Sequence, residues 1–272
     1  MNVFADKMVK STIRALWMEF VQTDQLGLEA QTENCRIFRA FKFSPSKIKL
    51  SLYKKMLDTT RSDIPPLFPY LLLTPWHFDM VTDKKFPFPP LGILHKKEKV
   101  TLIKKLRIGE WAFNCELGDF VEMENGIEFK LKSDLLIDGE PHWQSITTAF
   151  KKTQVKKERK DYPELDFEGA IGVKSFDPID AFKYGLLSQN IDPIHLSTFS
   201  AKMMGHKKNI LHGMFMSAYF LEPIITQEVV SIKLKFIKPL YLPNKFFLFE
   251  KGGSFYLTNH NKNIPLLRIK FE

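Results

Sequence analysis

Cysteine is nearly absent from this chain, with 2 in 272 residues. Cys35 and Cys115 are too few for a disulfide framework, and neither stands in the C-x-x-C spacing that holds a metal. No metal centre is expected, and so few thiols fit a reducing compartment. Long apolar runs are missing as well. The densest stretches, 66–76 and 215–225, fall short of the ~20 residues a membrane helix requires, so membrane insertion is not expected. The first residues carry Asp6, Lys7 and Lys10 with no apolar run behind them, unlike a secretory signal. These absences point to a cytoplasmic protein. No serine lies in G-x-S-x-G and no cysteine has a histidine nearby, so a covalent nucleophile has no support.

What is present is ample apolar material, 44% hydrophobic against 26% charged residues, enough for one large domain or two modest ones. Lysine and arginine, 40 together, outnumber 31 acidic residues for a net charge of +9. A solvated basic surface, a phosphate-bearing ligand such as coenzyme A, and nucleic acid all suit that charge. No nucleic-acid fold signature accompanies it, and nucleic acid is not expected as a partner.

Patterning divides the chain at a charged stretch, Lys151 to Glu168, that reads as a linker. Beyond it, Asp177-Pro178 and Asp180 open a helix to about Ser188, and Ser197 caps a short helix closed by Gly205. Residues 213–224 are too uniformly apolar for a surface helix and predict a buried one. Alternation of Val230, Ile232, Leu234 and Phe236 with polar neighbours predicts a strand. Strands over 245–250, 254–258 and 264–271 follow. The first half shows the same order more loosely. A helix over 47–60 and an apolar helix over 69–80 precede strands near 91–106, 111–116, 127–137 and 142–150, with turns at Asn125-Gly126 and Asp138-Gly139. Residues 1–35 suggest an N-terminal helix and nothing more. The expected division is an extension at 1–35, a first module at 36–157 and a second at 158–272.

One segment carries chemistry. After Tyr184, the residues Ser188, Pro193, Ile194 and His195, followed by His212, Gly213 and Met214, match in residue and spacing the signature of a known family that a tyrosine also precedes. The chain resembles the MaoC-like dehydratases, or (R)-specific enoyl-CoA hydratases, strongly over 182–243 and weakly over the rest of 45–272. The run Phe86 to His95 is similar to the first half of the family's two-module members. The resemblance implies an α+β double hot-dog fold, two antiparallel sheets each wrapped around a central helix, with the motif in the second half only. It also implies an acyl-CoA or acyl-carrier thioester as partner, no cofactor, and a degenerate first half that widens the cavity. Fused modules supply the pairing that single modules gain by dimerising, so monomer and homodimer are both open.

Adding water to a trans-2-enoyl thioester needs a base for water, an acid for carbon two and a donor for the thioester oxygen. By the resemblance His195 and the Gly213 N–H fill family positions, with Tyr184, Ser188, Asp192, His212 and Met214 lining the substrate. The family's aspartate, however, is Asn190 here, and a carboxamide takes no proton at neutral pH. Three outcomes stay open. Asp192 or Glu222 replaces the base; His195 works alone; or catalysis is lost and the cavity only binds acyl chains. His77, His95, His206 and His212 lack metal-type spacing and read as structural or surface groups, with His212 as a cap of the buried helix. Met203, Met204, Met214 and Met216 read as core, or as a flexible wall of an acyl tunnel.

Overall fold

A computed structural model describes residues 35–153, 165–225, 231–260 and 264–272. The helix expected in the extension, most of the linker and the module boundary near 157 lie outside the described residues.

Among the described residues, ten strands form one antiparallel sheet: β1 (Ile37–Phe43), β2 (Ile93–Leu102), β3 (Trp111–Met123), β4 (Gly126–Ile137), β5 (Glu140–Lys152), β6 (Gly172–Phe176), β7 (Ser231–Phe236), β8 (Asn244–Lys251), β9 (Ser254–Thr258) and β10 (Leu267–Phe271). Their order across the sheet is β1-β3-β4-β5-β2-β7-β10-β9-β8-β6. Read from either edge, the connectivity is the same: edge strand, three-strand meander, central strand. The two central strands, β2 and β7, pair antiparallel with Val100 opposite Ile232 and Lys97 opposite Lys235. This is the α+β hot-dog architecture in two copies.

Each half has a leading helix and a central one: α1 (Lys47–Met56) and α2 (Phe68–Val81), then α3 (Pro178–Ser188) and α6 (Gly213–Leu221). Two short helices, α4 (Pro193–Leu196) and α5 (Thr198–Met203), lie between α3 and α6. The central helices are buried around nearly their whole circumference: Phe68, Leu71, Leu73 and Met80 in α2, and Met214, Phe215, Met216, Ala218 and Leu221 in α6. That environment explains why their sequences show no polar face. The sheet face beneath them contributes Trp111, Phe113, Phe129, Trp143, Phe246 and Leu267, all fully buried. Burial of a large apolar side chain stabilises by about 1.5–3 kcal/mol, so these residues anchor the curved sheet.

Several elements differ from expectation. The first helix stops at Met56 rather than residue 60, because Asp58 turns left-handed (φ 58) just after the Leu57 cap. The Asp138-Gly139 turn has both residues at positive φ, as a primed hairpin turn requires. Asn125-Gly126 does not. There the turn is Glu124-Asn125, with Met123 facing Gly126, and glycine is needed because a Cβ would lie 2.1 Å from the Lys151 carbonyl oxygen. The last strand starts at Leu267, three residues later than expected. Edge strands β1 and β6 had no counterpart among the expected strands. Met203, read as core, is exposed on α5. Cys35 and Cys115 are both buried free thiols.

Candidate functional site

The 184–214 segment is shaped by its own polar side chains. Helix α3 opens with a reciprocal capping box between Asp177 and Asp180 and ends at Gln189 in the left-handed region (φ 57). Three side chains in alternation then accept from the backbone N–H two residues on: Ser188 Oγ from Asn190 at 3.3 Å, Asn190 Oδ1 from Asp192 at 3.3 Å, and Asp192 Oδ1 from Ile194 at 3.1 Å. These side-chain turns coil the loop tightly and start α4. The helical packing needs Gly185, since a Cβ there would meet the Asn190 carbonyl oxygen at 2.9 Å.

Helix α4 presents His195. Its Nδ1–H donates to the Ile210 carbonyl at 2.7 Å, which fixes the tautomer and leaves the Nε2 lone pair free to accept a proton. The Ile210 amide in turn bonds the Ile194 carbonyl at 2.9 Å, and residues 209–211 are tied to 240–242 by Leu211 N to Leu240 O and Leu242 N to Asn209 O. The His195 ring stacks on His212 with centroids 3.7 Å apart, and His212 is the residue before Gly213. Imidazole and helix amino end are therefore neighbours.

Gly213 is the first residue of α6, where an N–H has no partner inside the helix and the helix dipole is positive. A side chain there is excluded: a Cβ would fall 2.5 Å from the Phe236 ring. Behind His212, Tyr184 packs at 4.8 Å and itself stacks on Phe215 at 4.9 Å.

Burial is the main cause of the charge pattern. It lowers the pKa of His195, against the opposing pull of Asp192 and the Ile210 carbonyl, although part of that residue's surface stays open. His212 is lowered well below the ordinary histidine value, first by burial and then by His195. Its two ring nitrogens have no well-formed hydrogen bond, although the Asn190 carbonyl nearby favours the charged form. Burial likewise raises Tyr184. The arrangement favours the neutral form of His195, with Nε2 as the atom that can accept a proton.

Several expected site residues take other parts. Ser188 is fully buried, its hydroxyl donating to the Tyr184 carbonyl at 2.7 Å, so it shapes the helix end. Asp192 Oδ1 accepts the Ile194 N–H at the α4 cap, and its charge acts on His195. His212 occupies the cap position of α6 without a side-chain cap bond, and its ring backs His195 instead. Met214 is buried in the core. Glu222 accepts from Arg61 at 3.0 Å and Thr59 at 3.2 Å at the far end of α6, about 13 Å along the axis from Gly213 at ~1.5 Å per residue. It is not a substitute base. Two open depressions, of about 530 and 410 Å³, lie on α1 with Arg61 and Ile108 and on the β1–β3–β4–β5 face; neither touches residues 184–214.

Gly185, the Ile210 carbonyl and Phe236 escaped the sequence reading, because a close approach or a carbonyl's direction leaves no trace in residue type. His95, read as structural, is hydrogen-bonded to buried Glu98.

Fold and site together define a hot-dog protein with an imidazole beside the amino end of a buried helix. Comparison with known families agrees: the MaoC like domain family matches residues 151–249. That match covers most of the second half of the chain. A curated relative, 3-hydroxyacyl-thioester dehydratase X of Mycobacterium tuberculosis, is 25% identical over 209 residues, covering 74% of this chain and 75% of the relative. Among solved structures, HtdX of Mycobacterium tuberculosis superposes with a TM-score of 0.74 at 20% identity, over 87% of this chain and 99% of that one. A MaoC-like dehydratase from Phytophthora capsici gives 0.67 at 15% identity, over 90% and 97%. At such identities the structural likeness speaks for the fold.

Proposed function

We propose that this protein is a thioester hydro-lyase that adds water to, or removes it from, an acyl chain carried on coenzyme A or an acyl-carrier protein. The carrying observation is the neutral His195, its Nε2 lone pair free, stacked against the residue that precedes the Gly213 amide. The name of the curated relative, a 3-hydroxyacyl-thioester dehydratase, supports the same class.

In the hydration direction His195 Nε2 takes a proton from water as the water oxygen bonds to carbon three. Asn190 holds that water, and the Gly213 N–H receives the charge that builds on the thioester oxygen. No cofactor takes part. The first module, 36–157, contributes the opposite wall of the acyl site, and Tyr184 packs behind His212. The protein works in the cytoplasm, as a monomer or a homodimer.

Loss of absorbance of a trans-2-enoyl-CoA measures the reaction. His195→Ala lowers kcat/KM by ~10²–10⁴-fold, the usual contribution of a general base. An unchanged rate in that variant ends the assignment of His195 as the base; a wild-type chain that hydrates no enoyl-CoA ends the hydro-lyase reading. Asn190 motivates the rival, an acyl-thioester binder without turnover. It expects tight acyl-CoA binding, no hydration by the wild-type chain, and hydration gained by Asn190→Asp.

A further inference from the structure

Hydration also needs a proton for carbon two; Glu222 lies at the far end of α6, held by Arg61 and Thr59, and Asp192 accepts the Ile194 N–H at the start of α4. The first half of the chain offers a group. His95, in β2, is hydrogen-bonded through Nε2 to Glu98 Oε2 at 3.0 Å. The Glu98 side chain is wholly buried, at 0% exposure, and accepts two further bonds, from Ser145 Oγ at 2.7 Å and Thr147 Oγ1 at 2.6 Å. A carboxylate inside a protein is costly unless paired, and the histidine is its one basic hydrogen-bond partner among the described residues.

The pair exists because of a bulge. Residues three apart in a regular strand point to opposite faces, but the register of β2 against β5 slips between His95 and Lys97, which returns both side chains to the inner face. The side chain of His95 remains 28% exposed, so the ring is accessible while its partner is sealed.

Its position ties it to the site. The His95 ring lies 4.5 Å from the Phe236 ring, the same ring that a Cβ on Gly213 would strike. On its other side it stacks on Tyr70 at 5.9 Å. The Tyr70 phenol is raised by burial first, and then by Glu98 and Tyr184, so the cluster reaches across to the second half. The titratable groups around His95 are Glu98 on its own strand and His77 and Tyr70 on α2; Lys97, facing Lys235 of β7, is exposed on the outer face.

Resting on the proposed hydro-lyase reading, we infer that His95, with Glu98 as its positioning carboxylate, is the acid that protonates carbon two in place of the lost family carboxylate. Glu98 accepts the Nε2–H and provides a counter-ion for the imidazolium, which leaves Nδ1–H to donate. The balance closes. One O–H bond of water breaks and its proton goes to His195, while the oxygen bonds to carbon three. The electron pair of the double bond moves to carbon two, drawn toward the thioester oxygen, and forms a C–H bond with the proton from His95. His195 returns its proton to His95 through solvent, and nothing is oxidised or reduced. This is the general acid and base division seen where two titratable groups have opposite surroundings.

The test uses the full chain and the enoyl-CoA assay across pH. The wild-type kcat profile is expected to be a bell. His95→Gln lowers kcat by ~10²-fold, holds KM within about 3-fold, and removes the alkaline limb. Glu98→Gln, checked for folding by its thermal melt, loosens the orientation of the ring and lowers kcat while KM holds. A His95→Gln enzyme with wild-type kcat and an intact alkaline limb overturns the inference and leaves the His195 assignment standing. A wild-type chain that hydrates nothing also overturns it, and Asn190→Asp then separates the two failures. Hydration gained by that variant keeps the thioester site; none gained removes both.

Discussion

The two halves share one strand order and differ in what joins their helices. Between α1 and α2 the chain crosses in residues 57–67; between α3 and α6 it takes 189–212, about twice the length. The short link carries salt bridges, Arg61 with Asp63 and with Glu222. The longer one coils through three side-chain turns and holds His195 over the start of α6. The scaffold is thus the same in both halves, and only the second connection carries the imidazole. The first half turned the same inner sheet face to another use, with polar Ser133, Ser145, Thr147 and Glu98 buried among aromatics.

That contrast can be broken in three further ways. The largest effect is expected from Trp143→Ala, which empties a fully buried site whose indole N–H bonds the Pro66 carbonyl at 2.9 Å. It costs about 3–5 kcal/mol in urea unfolding. Because β2 and β7 join the halves in one sheet, fluorescence and circular dichroism should lose both halves in a single transition. Two separated transitions mean that the halves are thermodynamically independent.

Arg61→Ala comes next. It strips the cation from Glu222, whose pKa burial already raises against the pull of Arg61. Leaving that carboxylate without its partner costs about 1–3 kcal/mol. The bond between the halves is sequence-distant, so a loss confined to local melting of α1 would show that it does not bridge them.

The smallest effect concerns His77, buried on α2 and bonded to Ser133 Oγ at 3.0 Å. Burial, helped by His95, lowers its pKa to about 3. Its sign follows from linkage: between about 6.5 and 3 the unfolded chain binds a proton that the folded ring refuses, so stability is full above 6.5 and falls on acidification. His77→Gln should reduce the loss between pH 7 and pH 5.5 by about 1 kcal/mol, at ~1.4 kcal/mol per pH unit for one proton. An unchanged pH dependence assigns the acid sensitivity to His195 and His212 in the second half.

Much of the fold was legible. A period-two run marked β7 and strand-like runs between turn residues marked most of the others, and Asp177-Pro178 and Ser197 marked helix starts because capping is a local event. The ordered spacing of Tyr184, His195 and Gly213 pointed to the site for the same reason: one loop and one helix start carry it. The buried helices were recognised by lacking a polar face. What stayed hidden depended on partners distant in sequence. His95 and Glu98 sit in a lysine-rich run that reads as solvated surface, and only the bulge against β5 turns them inward together. Glu222 looked available as a base until Arg61 and Thr59 were seen to hold it.

By itself the sequence determined the two-fold order of helices and strands, the cap and turn positions, and the residue types that could handle a proton, because these follow from local backbone preference and periodic burial. Tertiary structure alone decided which of those groups meet. Stacking of His195 on His212, exclusion of a side chain at Gly213 by Phe236, and the sealing of Glu98 beneath β5 all depend on distances between segments that no local pattern encodes.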